Sequence, residues 1–305
     1  MTPSARITEV GPRDGLQNEP QTVPAATKID LIRRLAAAGL RHIEATAFVS
    51  PKWVPQMADH AEVIAGLGEL PGVRLSALVP NLQGFEAAEA AGVKTVAVFV
   101  SASEGFSQRN VNCSIADAFK RYEPVFLAAR RKGIAVRGYV SCVIACPYDG
   151  PVAPAQVARI AAELDGLGCY EISLGDTIGV GTPNSVQTML EAVVKTVPAE
   201  RLAGHFHDTY GMAIANAFAA WQFGLRSFDS SVAGLGGCPY ANGATGNVAT
   251  EDLVYLLHGL GASTGVNLEA LTGCSAWISA ALNREPSAHV TRAMLAKQGT
   301  RTART

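Results

Sequence analysis

Short β-branched runs alternate with longer segments of helical spacing eight times along this chain, and that alternation constrains the fold more than any other feature. The runs fall at residues 5–10, 41–47, 73–79, 95–101, 136–143, 170–175, 202–208 and 227–233. Helical periodicity follows each of them; in 27–38, Ile29, Ile32 and Leu35 form one stripe and Gly39 marks the stop. Asn81, and Ser114 with Asp117 three residues on, have the chemistry of helix N-terminal caps, and Pro154 and Pro183 suit a first helical turn. Strand then helix, eight times in about 260 residues, predicts an α/β fold of the (β/α)8 TIM-barrel type. A doubly wound sheet alternates similarly but seldom needs eight units, and the Gly-x-Gly-x-x-Gly turn after the first strand is absent. The expected organisation is one catalytic domain over 305 residues, a barrel over about 5–260 and a C-terminal helical extension over about 261–305. That extension holds a further helix around 268–282 and ends in a polar, frayed tail, KQGTRTART.

Composition narrows the chemistry. With 25 basic residues against 26 acidic ones the net charge is -1, which removes the main electrostatic reason to expect nucleic acid or an anionic membrane as a partner. No apolar run approaches the roughly 18 residues needed to cross a bilayer, and MTPSARITEV is too short and mixed for a signal peptide. Six cysteines (113, 142, 146, 169, 238 and 274) show neither paired CxxC spacing nor the density of a disulfide scaffold. Reduced thiols are therefore expected, in a bacterial-type cytoplasm or a comparably reducing mitochondrial matrix.

The longer connections, 48–55, 102–113, 144–153 and 234–247, all follow strands, which in a barrel puts them on the face where active sites sit. His205 and His207, two apart on the seventh strand, point to one side and can converge as neutral imidazole ligands. At the end of the first strand, Arg13 and Asp14 bring a guanidinium and a carboxylate to the same face; alone they also fit a surface turn with Gly15 at positive φ. Strands one and seven are near neighbours in a closed barrel, and Asn247 ends the loop after strand eight, between them. Asp14, His205, His207 and the amide oxygen of Asn247 would leave positions open around one six-coordinate divalent ion, Mg2+ or Mn2+, better than they would close a zinc site. The loop 234–247 carries five glycines in fourteen residues and reads as a mobile lid, with Cys238 placed to reach solvent or substrate. Cys142 and Cys169, in or beside strands, read as small buried hydrophobes. Glu44 and Asp176 interrupt apolar segments and suit partners that orient Arg13, a metal ligand or its water. Gln17, Asn110 and Tyr139 are candidate substrate contacts, while His42, His60, His258 and His289 fit surface or packing roles.

The motifs VGPRDGLQNE (10–19), EATAFVSPKWVPQM (44–57), YEISLGDTIGVGTP (170–183), HFHDTYG (205–211) and SSVAGLGGCPYANGATGN (230–247) together resemble the 3-hydroxy-3-methylglutaryl-CoA lyase family of the DRE-TIM metallolyases, from about Ile7 to Asn283. The resemblance implies a TIM barrel, a homodimer, an acyl-CoA substrate, and Mg2+ or Mn2+ on Asp14, His205, His207 and Asn247. It implies Arg13 as catalytic arginine, Cys238 as loop cysteine and Glu44 as motif acid. The implied reaction cleaves a 3-hydroxyacyl-CoA to acetyl-CoA and acetoacetate, with His205 or Asp14 taking the hydroxyl proton, Arg13 stabilising the enolate and Cys238 protonating it. Phe206, Asn242 and Ala47 depart from the familiar pattern and bear on substrate preference. The competing readings are a lyase for a bulkier 3-hydroxy-3-alkylglutaryl-CoA, a condensing relative, a metal-dependent hydrolase barrel and a non-catalytic CoA-binding protein.

Overall fold

The structure, a computed structural model, describes residues 2–237 and 246–302, with side chains described as far as Lys297. Among the described residues ten strands run in chain order: β1 (Arg6–Glu9), β2 (His42–Ala47), β3 (Arg74–Leu78), β4 (Thr95–Ser101), β5 (Ala135–Ser141), β6 (Ala145–Cys146), β7 (Gly150–Pro151), β8 (Glu171–Asp176), β9 (Leu202–Phe206) and β10 (Ser227–Ser230). Eight of them close a parallel barrel in the order β1-β2-β3-β4-β5-β8-β9-β10, with β10 returning to β1. β6 and β7 form a small antiparallel hairpin inside the connection after β5.

Helices α1 (Ala25–Ala37), α2 (His60–Leu67), α3 (Leu82–Ala90), α4 (Glu104–Val111), α5 (Ile115–Lys132), α6 (Pro154–Leu167), α7 (Pro183–Val193), α8 (Ala213–Phe223) and α9 (Thr250–Gly259) follow the barrel strands in turn. The expected caps are in place: Asn81 accepts from the Gly84 N–H at 2.9 Å, and Ser114 from the Asp117 N–H at 3.1 Å. Pro154 and Pro183 open their helices, where a missing N–H costs nothing. Gly39 has φ 103°, and a Cβ there would meet the Gly265 carbonyl oxygen, so glycine alone ends α1 against the chain that crosses it.

The apolar core lies between barrel and helices. On α1 it is formed by Leu31, Ile32 and Leu35, while Ile29 of the expected stripe is only partly buried. Lys28 is buried in its place, because its Nζ reaches the Gln56 carbonyl and both oxygens of Asp59. Inside the barrel, charge replaces the usual branched side chains. Arg137 of β5 is fully buried and donates to Glu171 of β8 at 2.8 Å and to both oxygens of Asp229 of β10 at 3.0 and 2.7 Å.

Three expectations are corrected. Residues 102–113 are not an open loop but carry α4, capped by Ser103, whose hydroxyl accepts from the Phe106 N–H. β5, β9 and β10 end two or three residues before the apolar runs do, because the chain turns toward the site; Cys142, just past β5, is buried at φ 61°. Beyond α10 (Leu268–Ala281) the extension carries a second helix, α11 (His289–Thr302), where only one was expected. Its start is fixed by Asp252 of α9, which accepts the N–H groups of His289 and Val290 at 3.1 and 2.8 Å. Among the described residues no helix is long and apolar enough to cross a membrane.

Candidate active site

After β1 the backbone makes one π-helical turn, Gly11–Gly15, in which the N–H groups of Arg13, Asp14 and Gly15 all reach the Val10 carbonyl. Such turns recur at functional sites because they redirect consecutive side chains. Here they carry Arg13 and Asp14 inward: Arg13 is 6% exposed, so the pair is not a surface turn. Gly15 is required for close approach and not for positive φ, since a Cβ on it would lie 2.7 Å from Leu235 Cβ.

Asp14, His205 and His207 form a group able to hold a metal ion, their ligand atoms all within 4.8 Å of one another. His205 projects from β9; His207 lies just past it, bridged to Asn247, whose Nδ2 donates to Asp14 Oδ2 at 2.8 Å. Offering the Asn247 oxygen to a cation therefore requires that amide to turn over. The donor set fits a cation on its own chemistry. His205 Nδ1 is held by Asp229 at 3.1 Å, which leaves Nε2 as the lone-pair nitrogen, and Nε2 faces His207 Nε2 at 3.3 Å. Burial and the neighbouring His205 lower the His207 pKa to about 4, against the pull of Asp14, so the ring is neutral. With the ring's proton on Nδ1, which has no hydrogen-bond partner among the described residues, the two Nε2 lone pairs face each other, and a cation taking both removes that repulsion. Burial would raise the Asp14 pKa, but Arg13, His205, His207 and Asn247 outweigh it and bring it to about 2.

Arg13 Nε donates to Glu44 Oε1, and its Nη1 to Asp14 Oδ1 at 2.7 Å, so Glu44 holds the guanidinium. The other Glu44 oxygen accepts the Tyr139 hydroxyl, whose ring lies 5.6 Å from the Arg13 guanidinium carbon. Tyr139 is thus tied to Arg13 and Glu44. Gln17 donates to Asp14 Oδ1 at 3.1 Å. Asp176 is fully buried; Oδ2 closes the turn after β8 by accepting the Gly181 N–H at 2.8 Å, and Oδ1 has no partner among the described residues. Burial raises its pKa to about 6, against the N–H groups of Gly181, Val180 and Gly179. Asn110 is exposed on α4. Phe206 points away from the histidines and packs in the core, and Cys142 and Cys169 are fully buried. Cys238, Asn242 and most of the glycine-rich lid lie outside the described residues.

Sequence reasoning missed Asp229, Arg137, Glu9 and Glu251. Asp229 stands directly across from His205 in the β9–β10 register, and its Oδ2 also accepts the Ser173 hydroxyl at 2.7 Å. Burial pushes the Glu9 and Glu251 carboxyls up to about 7, against hydrogen bonds that include those from Thr250 to Glu9 and from Ser275 to Glu251. Each native carboxyl then keeps a proton that the unfolded chain, titrating at 4.5, releases, so this contribution to stability is present below about pH 4.5 and lost as pH rises through about 7. The expected result is that Glu251→Gln gains on wild type in thermal unfolding by on the order of 1–3 kcal/mol between about pH 5 and 7.5. A difference that stays flat with pH would remove the assignment.

A closed parallel barrel with a carboxylate, two imidazoles and a buried guanidinium at the strand ends defines a TIM-barrel enzyme of the metal-assisted class. Comparison narrows this. The profile of the HMGL-like family matches residues 4–278, and the chain belongs to that family. It is 60% identical over 292 residues, 96% of this chain and 97% of the other, to the 3-hydroxy-3-isohexenylglutaryl-CoA/hydroxymethylglutaryl-CoA lyase of Pseudomonas aeruginosa. The crystal structure of a hydroxymethylglutaryl-CoA lyase from Pseudomonas aeruginosa superposes with TM-score 0.94 at 60% identity, covering 96% and 98% of the two chains. An HMG-CoA lyase from Acinetobacter baumannii, solved with coenzyme A and 3-methylmalate, gives TM-score 0.91 at 35% identity, covering 95% of each chain.

Proposed function

We propose that this chain is a divalent-metal-dependent carbon–carbon lyase that cleaves 3-hydroxy-3-methylglutaryl-CoA to acetyl-CoA and acetoacetate. The observation that carries the proposal is the Asp14–His205–His207 group with Arg13 held beside it. Mg2+ or Mn2+ on these residues and Asn247 would supply Lewis-acid polarisation of the substrate's hydroxyl and carboxylate oxygens. His205 and Asp14 both belong to the group that would hold the cation and are the two candidates for taking that hydroxyl's proton. Asp14 already accepts three hydrogen bonds and is held near 2, which makes it a weak proton acceptor. Arg13, permanently cationic and oriented by Glu44, meets the negative charge that develops on the thioester oxygen as the carbon–carbon bond breaks. Cys238 is the proposed acid that protonates the departing acetyl-CoA enolate. The chain is taken as one catalytic domain acting as a homodimer, in a bacterial-type cytoplasm or a processed mitochondrial matrix. The complex of the Acinetobacter relative with coenzyme A supports an acyl-CoA substrate.

The test is a coupled assay of acetyl-CoA release from 3-hydroxy-3-methylglutaryl-CoA. Activity is expected to vanish in EDTA and return with Mg2+ or Mn2+; full activity in metal-free protein would end the proposal. A second reading is favoured by the Pseudomonas aeruginosa relative, which is named for an isohexenyl substrate as well. A kcat/KM for the isohexenyl thioester above that for the methyl one would establish it.

A further inference from the structure

We propose that Glu9 and Glu251 are positioning residues for the metal site: buried carboxyl groups that fix the turn at residues 231–235, against which the Asp14 turn and Asn247 are set. The proposal rests on the divalent-cation reading of Asp14, His205, His207 and Asn247 given above. Both carboxylates are 0% exposed. Their acceptors go to consecutive backbone N–H groups of one turn: Glu9 Oε1 takes the Val232 N–H at 2.9 Å, and the Glu251 oxygens take the Ala233 N–H at 3.0 and 3.1 Å. Ala233 needs such holding, because it is a non-glycine residue at φ 58°. Glu9 Oε1 also accepts the Gly11 N–H at 2.8 Å, so a single oxygen ties the start of the Arg13–Asp14 turn to the 231–235 turn.

What the turn touches explains why its position matters. The Leu235 carbonyl accepts from Asn247 Nδ2 at 3.3 Å, and Leu235 packs on Gly15 so closely that a Cβ there would be 2.7 Å away. A shift of the turn therefore moves Asn247 and the Asp14 backbone together. Hydroxyls brace these carboxyl groups in turn: besides Ser275 on Glu251, Thr250 donates to Glu9 Oε2 at 2.6 Å and Thr291 of α11 to Glu251 Oε1 at 3.2 Å. Ser287, just before α11, donates to the Ala233 carbonyl, so the C-terminal extension is latched to the same turn. A buried N–H needs an acceptor, and a carboxylate that feeds two of them sets their separation as well as satisfying them.

The experiment titrates Mn2+ into full-length metal-free protein, read by the electron paramagnetic resonance signal of free Mn2+, alongside thermal unfolding. Glu9→Ala and Glu251→Ala are expected to weaken Mn2+ binding by about 10–100-fold. Glu9→Gln, whose amide oxygen still accepts from Gly11 and Val232, should stay within about threefold of wild type. The comparison that separates positioning from general stability is Leu164→Ala on α6, a core truncation that lowers the melting temperature and should leave Mn2+ affinity unchanged. Glu9→Ala and Glu251→Ala both binding as wild type, or Leu164→Ala losing as much, would overturn the inference. If the alanine variants do not fold, Thr250→Val decides it: a loss of about threefold or more supports the inference, and none overturns it. Wild type that fails to bind Mn2+ would instead sink the ligand assignment on which the inference stands.

Discussion

Arg13→Met is expected to lower kcat for 3-hydroxy-3-methylglutaryl-CoA cleavage by about 10³-fold or more, while Mn2+ affinity changes by less than about tenfold. The guanidinium is buried with two of its nitrogens committed, Nε to Glu44 and Nη1 to Asp14, so it stands in a fixed pose before any substrate arrives. Preorganised charge of this kind is most effective where charge develops only in the transition state, which predicts a loss in kcat larger than the rise in KM. Lysine is not a substitute, because a point charge cannot hold both carboxylates in the fork geometry. The methionine variant also leaves Glu44 buried without its cation, so it is destabilised by a mechanism unrelated to catalysis. Adding Glu44→Gln separates the two effects: the double variant should recover melting temperature and stay as slow as Arg13→Met. Recovery of activity along with stability would show that Arg13 is structural.

Most of this site was legible from spacing. Two histidines two apart on a strand share a side whatever the fold, and once eight strand–helix units imply a closed barrel, Asp14 after the first strand and His205 on the seventh must come near each other. What could not be read was which lone charges face inward. Arg137 in AVRGYVS and Asp229 in SFDS look like any polar residue on a strand with one solvent face, and only the register that sets Asp229 opposite His205 shows otherwise. Helix α4 was missed for another reason. Its eight residues, EGFSQRNV, bury only Phe106 and Ser107, too little periodicity to outweigh the polar loop they resemble. Lys28 misled the α1 stripe because a lysine becomes a core residue only when acceptors are provided, and those come from Gln56 and Asp59 in a distant loop.

Asp229→Asn is the second large effect, and it is expected in two observables at once. The carboxylate carries a hydrogen bond from Ser173, two from Arg137 and one from His205, and although burial opposes ionisation, the Arg137 guanidinium and these hydrogen bonds hold its pKa well below the usual range. Its contribution to stability is therefore present above the unfolded value of 3.8 and lost as pH falls through the lower folded value. Neutralising it leaves Arg137 with Glu171 alone inside the barrel, a loss of about 3–5 kcal/mol at neutral pH measured by denaturant unfolding. It also withdraws the charge that keeps the proton of His205 on Nδ1, so Mn2+ affinity should fall by about 10–100-fold. Arg137→Met combined with Asp229→Asn removes the buried cation that has lost its second partner and should restore stability without restoring Mn2+ binding, because of the two only Asp229 touches the histidine. If instead metal affinity follows stability through all three variants, Asp229 acts on the barrel and not on His205.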